Sequence, residues 1–395
     1  MFESLQPIPA DPILGVIAKY NNDPRETKID LGVGVYRNEQ GQTPVLQSVK
    51  DAEAQLLASE TTKAYIGPVG NPLYNELMTE LALGRNHSAI PDMALVQTPG
   101  GCGALRVAAE LIKRAYQGAT IWVSDPTWGN HVPLLGDAGI SLKTYPYYNF
   151  SNHELRFEEM MASLAQVQSG DLVLFHACCH NPSGADLTQE HWRAVADLAQ
   201  QRGFVPFIDM AYQGFGESVE ADAYGLRLLC EQLPEVLLAI SCSKNFGLYR
   251  ERVGAVALKS TAPSVATSHI ASIVRGIYSM PPAHGAAIVT QILADEALKT
   301  VWLQELQAMR ERIISMRHDL VNELNALGAS GRFDHIAAQR GMFSFLGLSP
   351  TEVQELASRH AVYMVESSRI NVAGLSQANL TAFCKALLLT RQLNR

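Results

Sequence analysis

The run Val236-Leu237-Leu238-Ala239-Ile240-Ser241-Cys242-Ser243-Lys244-Asn245-Phe246-Gly247 decides how the rest of the chain is read. Its first five residues are an unbroken apolar stretch, which reads as a buried strand. Lys244 stands at the mouth of that strand, between hydroxyls and the downstream basic pair Arg250 and Arg252. A lysine so placed suits a Schiff base with a phosphorylated aldehyde, with the hydroxyls and arginines holding the phosphate. Taken alone, most lysines at strand ends are solvated surface charges. The reading therefore depends on what surrounds this strand.

Short apolar strands alternate with helical patterns on both sides of it. Strands are predicted at Met93–Thr98, Thr120–Ser124, Ser141–Tyr147, Asp171–Cys179, Val205–Met210, Glu235–Ser241 and Val253–Lys259. Helices are predicted at Gly103–Tyr116, from about Trp128, and at His153–Gln166, Gln189–Gln201 and Ala221–Gln232. This alternation predicts an α/β fold with a mostly parallel sheet covered on both faces. Long helical patterns run from Ser264 to about Leu327. A smaller α/β unit follows, with a strand at Val362–Glu366 and a final helix at Ala378–Leu393. We expect residues 1–44 to form an arm and part of the small domain, 45–308 the large domain and 309–395 the small domain.

Composition narrows the function classes. The chain has 395 residues and is 47% hydrophobic, enough for two or three domains with a large core. A net charge of −8 without a basic tract argues against nucleic acid or an acidic membrane as partner. Six scattered cysteines in a chain this long read as reduced thiols. The N-terminus lacks a signal-peptide pattern, and no apolar run approaches a membrane span. These features predict a cytoplasmic protein.

Ligands of parallel sheets bind at the carboxyl ends of the strands. After the first strand comes Thr98-Pro99-Gly100-Gly101-Cys102-Gly103 at a helix start, where free backbone N–H groups favour a phosphate. Arg106 stands where a dinucleotide fingerprint needs its third glycine, which argues against a nucleotide-dependent dehydrogenase. Asp209 closes the apolar run Val205–Ile208 and needs a positive partner or a donor. A pyridinium nitrogen would serve; so would a helix N-cap. Tyr212 and Asn181 are candidate donors to a ring oxygen, and Trp128 is a candidate stacking surface or a core tryptophan. The cluster His176-Ala177-Cys178-Cys179-His180 invites a metal reading. Strand alternation would put Cys179 on the opposite face from the other ligands, and no second cluster exists, so no metal is expected. Arg369 offers a bidentate fork for a carboxylate, and Arg275 interrupts an apolar helical face. For each arginine taken alone, a structural ion pair is the commoner role.

Together these runs resemble the class I pyridoxal-phosphate aminotransferases, in the aspartate/aromatic subgroup. The matching runs are Ala10–Gly15, Leu31–Tyr36, Gln97–Leu105, Ser124–His131, Leu174–Gly184, Asp209–Gly216, Ser243–Gly254, Pro281–Gly285 and Arg369–Gly374. They lie in the family's order and span nearly the whole chain. The resemblance implies a fold-type I transferase that uses pyridoxal 5'-phosphate. It assigns Lys244 to the Schiff base, Asp209 to the ring nitrogen, and Tyr212 and Asn181 to the ring hydroxyl oxygen. Trp128 would stack on the ring. Gly101, Cys102, Ser241, Ser243 and Arg252 would hold the phosphate, joined by Tyr65 of a neighbouring subunit. Arg369 would grip the substrate α-carboxylate. Arg275 would cross from the partner to a distal carboxylate. Gly34, with Ile13 nearby, would line a lid, and His131 and His176 would support the ring from beneath. The implied assembly is a homodimer with shared sites acting on amino acids and 2-oxo acids.

Departures from the pattern bear on substrate. Cys102 replaces a hydroxyl residue at the phosphate turn, and Met280 and Ala64 replace polar residues of aspartate-preferring members. The expectation is amino transfer from aromatic amino acids, aspartate or both to 2-oxoglutarate. A strict aspartate aminotransferase is the alternative, and a decarboxylase or C–S lyase on the same cofactor is a more distant one, disfavoured by two carboxylate-binding arginines.

Overall fold

The protein is described by a computed structural model covering residues 2–7 and 12–393. Ala10 and Asp11 of the Ala10–Gly15 run lie outside the described residues. The chain divides into two compact units. One comprises Thr43–Arg312 with Gln339–Gly341; the other comprises Met1–Gln42, Ile313–Ala338 and Met342–Arg395.

The first unit is built on a seven-stranded sheet. Its strands are β1 (Met93–Pro99), β2 (Thr120–Asp125), β3 (Ser141–Pro146), β4 (Leu172–His176), β5 (Val205–Met210), β6 (Val236–Ser241) and β7 (Val253–Lys259), in the spatial order β1-β7-β6-β5-β4-β2-β3. β7 is antiparallel to both its neighbours; every other pairing is parallel. All six residues of β6 are buried, as a strand covered on both faces requires. The registers His176↔Asp209 and Asp209↔Ala239 align the ends of β4, β5 and β6. The glycine of β7 has a steric reason. A Cβ on Gly254 would lie 2.5 Å from the Ile240 carbonyl oxygen and 2.6 Å from the Gly100 backbone. Only glycine lets the turn after β1 fold this closely against β6.

The second unit has its own core, including Leu31, Leu320, Phe333, Ile370 and Phe383. Phe343–Phe345 pairs antiparallel with Arg369–Asn371, and Ile29–Asp30 pairs parallel with Val362–Tyr363. Helix Pro350–His360 starts with a reciprocal capping box between Ser349 and Glu352. Arg317 is 1% exposed yet fully engaged. It donates to the Ile336 carbonyl at 2.8 Å, the Ser344 hydroxyl at 2.6 Å and the Phe343 carbonyl at 2.7 Å.

Several local expectations need correction. The segment expected as helix His153–Gln166 is a short strand, Glu154–Leu155, followed by helix Phe157–Leu164. His153 has φ +61°, which helix cannot accommodate. The helix expected from about Trp128 starts at His131. The long helical patterns expected from Ser264 are present as three helices, Pro263–Ile277, Ala283–Ala294 and Glu296–Ala326, separated near Pro281-Pro282 and Asp295. The strand expected to run to Cys179 ends at His176. Beyond it Cys179 adopts φ +52°, so side-chain alternation fails. Cys178 and Cys179 come together beside Asp222 instead of facing opposite ways.

Candidate active site

Two supports fix the turn that carries Lys244. The Ser243 amide donates to the Ser241 hydroxyl at 3.2 Å, and the Gly247 amide closes onto the Lys244 carbonyl at 3.0 Å. Behind it, the Trp302 indole donates to the Asn245 carbonyl at 2.8 Å, and its rings stack on Phe246 at 4.5 Å. The Lys244 amine lies 5.0 Å from the centre of the Tyr212 ring. Burial pushes its ammonium below the ordinary lysine range, with Arg252 adding to the push and Asp209 and Cys102 opposing it. The result is an amine closer to the neutral, nucleophilic form than a surface lysine.

Asp209 is 8% exposed at the end of β5. Burial pushes its pKa up, but the His131 hydrogen bond, with the electrostatic influence of the neighbouring histidines and Lys244, prevails and holds it below the ordinary range. His131 reaches Asp209 Oδ2 at 2.9 Å, contacts the Thr127 hydroxyl at 2.9 Å through its other nitrogen, and Thr127 meets His176 at 3.3 Å. The Trp128 ring stands edge-on to His131 at 5.2 Å. The site thus contains a buried carboxylate, held below the ordinary range, with one oxygen tied back to His131, and Trp128 stands edge-on to that histidine.

His176 gives a test of this chain. Desolvation, helped by His131, pushes it down to about 3. A histidine whose folded pKa lies below its unfolded value binds fewer protons when folded. Stability is then complete above pH ~6.5 and declines as pH falls toward about 3. The slope amounts to at most one proton, ~1.4 kcal/mol per pH unit. Asp186, raised to about 6 by burial, contributes the opposite slope over an overlapping window. Denaturant melts of His176→Asn between pH 4 and 6 should show a shallower loss of stability with acid than the parent. An equal or steeper loss would contradict the neutral, buried assignment.

At the adjoining edge, helix Gly100–Ala115 begins directly after β1 with no side-chain cap on its first amides. A Cβ on Gly101 would lie 3.1 Å from the Ser241 side chain, and one on Gly100, at φ +71°, would lie 2.4 Å from the Arg252 guanidinium. Arg252 donates to the Tyr249 carbonyl at 2.9 Å and approaches the Ser243 hydroxyl at 3.5 Å. Cys102 sits at this turn with Asn130 Nδ2 3.8 Å from its sulfur. Uncapped helix amides, two hydroxyls and a guanidinium make a cradle for a phosphate.

Asn181 and Tyr212 are both buried, at 6% and 5% exposure. Asp186 holds the segment before Asn181 by accepting the Cys179 and His180 amides at 2.7 and 2.8 Å. His180 is fixed between the Ser124 and Ser183 hydroxyls, at 3.0 and 2.8 Å, and stacks on Tyr147.

In the second unit Arg369 is buried. Its Nη2 donates to the Gly32 carbonyl at 2.7 Å, and its guanidinium lies 4.4 Å over the Phe343 ring. A Cβ on Gly34 would come within 3.0 Å of that same ring. Asn371 donates to the carbonyls of Val33 and Val35, each at 2.7 Å, which fixes the Gly34 loop. Ile13 packs beside Val16 and Tyr363. Arg275 is exposed and hydrogen-bonds the Ser279 hydroxyl, whereas Ile273 and Val274 carry the buried face. It does not interrupt that face, and its partner is a hydroxyl, not the acid that an apolar setting would demand. Tyr65 is 93% exposed.

Within the first unit, the chain brings together Lys244 with Tyr212, Asp209 with His131 and Trp128, and Gly101 with Ser241 and Arg252. Sequence reading missed Thr127, Trp302 and Asp222. Asp222 accepts the amides of Gly214 and Gly216 at 2.8 Å each and of Glu217 at 2.8 Å, anchoring the loop that follows Tyr212. An aspartate shortly after the glycine-containing loop Gly214–Glu217 was a usable signal for it; Trp302 is 57 residues from Asn245 and left none. Phe343 beneath Arg369 was likewise unforeseen.

The family described as Aminotransferase class I and II matches residues 26–387. An aromatic-amino-acid aminotransferase of Pseudomonas aeruginosa is 48% identical over 391 residues, covering 98% of each chain. An aspartate aminotransferase of Escherichia coli is 46% identical over 393 residues, covering 98% of this chain and 99% of that one. The crystal structure of an aromatic-amino-acid aminotransferase from Burkholderia pseudomallei, covalently bound to pyridoxal phosphate, superposes with a TM-score of 0.97 at 39% identity, covering 99% of both chains. Likeness of this extent, over the same span that holds the lysine turn and the glycine cradle, means that the chain belongs to the class I and II aminotransferase family and is an aminotransferase.

Proposed function

We propose that the enzyme moves the amino group of aromatic amino acids and of aspartate to 2-oxoglutarate, with pyridoxal 5'-phosphate held at Lys244. The observation that carries this reading is the Lys244 amine, pushed toward its neutral form over Tyr212 and beside the ionised Asp209. The residues fit the cofactor: a glycine turn that a Cβ would fill, uncapped helix amides with Arg252, and a buried carboxylate suited to a protonated ring nitrogen. Bound there, pyridoxal phosphate supplies a covalent carrier for the amino group and an electron sink for the substrate carbon.

The protein's own part is binding, orientation and proton transfer. Lys244 would hold the cofactor covalently, and its amine, once free, would serve as the base and then the acid that moves the proton of the substrate Cα. Asp209, kept ionised by His131, keeps the ring nitrogen protonated. Tyr212 and Asn181 would donate to the ring hydroxyl oxygen, and Trp128 would stack on the ring. Gly101, Cys102, Ser241, Ser243 and Arg252 hold the phosphate, and Arg369 takes the substrate α-carboxylate as a bidentate fork. Phe343 and the Gly32 carbonyl set the plane of that fork. Tyr65 and Arg275, both exposed, serve the site of a second copy in a homodimer, at the phosphate and at a distal carboxylate respectively. We place the enzyme in the cytoplasm; among the described residues no helix is long and apolar enough to cross a membrane.

Dual specificity rests on Arg275, Met280 and Ala64. A distal carboxylate entering a closed site needs a cation, since an unpaired buried charge is costly. An aromatic ring needs that cation to swing away, which less polar neighbours make easier. Arg275→Leu should reduce kcat/KM for aspartate and glutamate by at least ~10²-fold, the scale of a lost buried charge pair, and change phenylalanine far less. A panel of amino donors with 2-oxoglutarate tests the whole reading. Turnover of phenylalanine or tyrosine alongside aspartate is expected; inert aromatic donors would leave a strict aspartate aminotransferase.

A further inference from the structure

The pair Cys178–Cys179 is not used by the chemistry above. Both thiols are buried, at 6% and 2% exposure, and neither is in a disulfide. Their sulfurs and a carboxylate oxygen of Asp222 all lie within 4.8 Å of one another. Among the described residues it is the only cluster of three or more His, Cys, Asp or Glu side chains whose ligand atoms come this close together. A cavity of about 440 Å³ elsewhere in this unit reaches no cysteine, but another, of about 360 Å³, is lined by Cys178 together with Asp186, Thr188, Glu217, Asp222 and Arg340. Cys178 therefore lines this cavity, and the Cys179 sulfur lies within 4.8 Å of the Cys178 sulfur.

We infer that Cys178 and Cys179 form a vicinal dithiol site that binds a neutral trivalent arsenical entering through this cavity. Three features favour that class. Two thiols on adjacent residues with their sulfurs this close can both bond one arsenic(III) centre with little backbone movement. The step balances without any oxidant: an arsenoxide and two thiols give two As–S bonds and one water, the thiol protons leaving on the oxide oxygen. The cavity is acidic as well, with Asp186, Asp222, Glu190 and Glu217 against Arg340, and Arg340 is already paired with Glu217 at 3.2 Å. Anionic thiol reagents are disfavoured there. A hydrogen bond with Cys179 and burial raise the Cys178 thiol well above the ordinary range, so thiolate alkylation is suppressed too.

Asp222 does not complete a cation site. Its two oxygens already accept three backbone amides, which makes it an anchor of the neighbouring loop. A third ligand is not needed for an arylarsenic centre bonded to carbon and two sulfurs. Bridging also pulls on the segment leading to Asn181, because the Cys179 amide hangs from Asp186.

The test is titration of the folded holoenzyme with phenylarsine oxide, read by native and intact-mass spectrometry. One adduct per chain is expected, with the mass of one phenylarsenic unit less two hydrogens. It should survive excess of a monothiol and be removed by 2,3-dimercaptopropanol. Proteolysis should place it on the peptide containing both cysteines. Cys178→Ser and Cys179→Ala, each checked for folding by circular dichroism, should lose it, while Cys384→Ala keeps it. If either variant fails to fold, the peptide mapping of the parent alone decides. No adduct on the folded parent, an adduct mapped to other cysteines, or one persisting in both folded variants would overturn the inference. Cadmium retained under the same conditions with the arsenical excluded would also overturn it, in favour of a cation site.

Discussion

Lys244→Ala should lose at least ~10⁴-fold in turnover while melting at nearly the parent temperature. The loss combines two effects. On the proposed mechanism, removing the amine takes away both the covalent anchor and the base for the proton on the substrate Cα. General acid–base assistance alone is worth about 10²–10⁴-fold. Stability should change little. The amine is partly desolvated and held off its ordinary range, so removing it relieves a burial cost. The turn itself rests on the Trp302–Asn245 hydrogen bond and the Phe246 stack, which the substitution leaves in place. Single-turnover absorbance and a thermal melt check the two halves. A variant retaining a tenth of parental turnover would remove Lys244 from the chemistry.

Asp209→Ala should cost about 10²–10³-fold in kcat, the range seen when one preorganised electrostatic partner is deleted. The buried His131 also loses its carboxylate, leaving a polar nitrogen without its partner. Cofactor retention should weaken, yet the protein should still turn yellow, because Lys244 belongs to a different turn. Retention is measured by dialysis followed by visible absorbance, and kcat by steady-state assay. Near-normal kcat would take the electron-sink role away from this carboxylate.

The sequence showed these two residues for a simple reason. Each sits just after or within an apolar strand of the parallel sheet, where burial forces a charged group to have a partner. Periodicity located all seven strands of that sheet, because covered parallel strands are apolar throughout. It could not show that β7 runs antiparallel, since direction leaves no trace in an apolar run. Boundaries failed where backbone geometry changes without a change in polarity: His153, at positive φ, cannot start the helix expected there, and the strand expected to reach Cys179, itself at positive φ, ends at His176. The supports of the site were largely illegible. Thr127 bridges two histidines 45 residues apart, and Trp302 braces the lysine turn from another helix. Arg275 misled because an apolar surrounding in sequence was read as an apolar face, whereas helical geometry turns it to solvent.

The central claim is that Lys244 is the residue that carries the cofactor. Borohydride reduction of the yellow holoenzyme, followed by proteolysis and peptide mass mapping, tests it most directly. The account predicts one pyridoxyl group per chain, on the peptide containing Ser241–Gly247, at Lys244. A label on any other lysine, or none on a protein that is yellow before reduction, would contradict it.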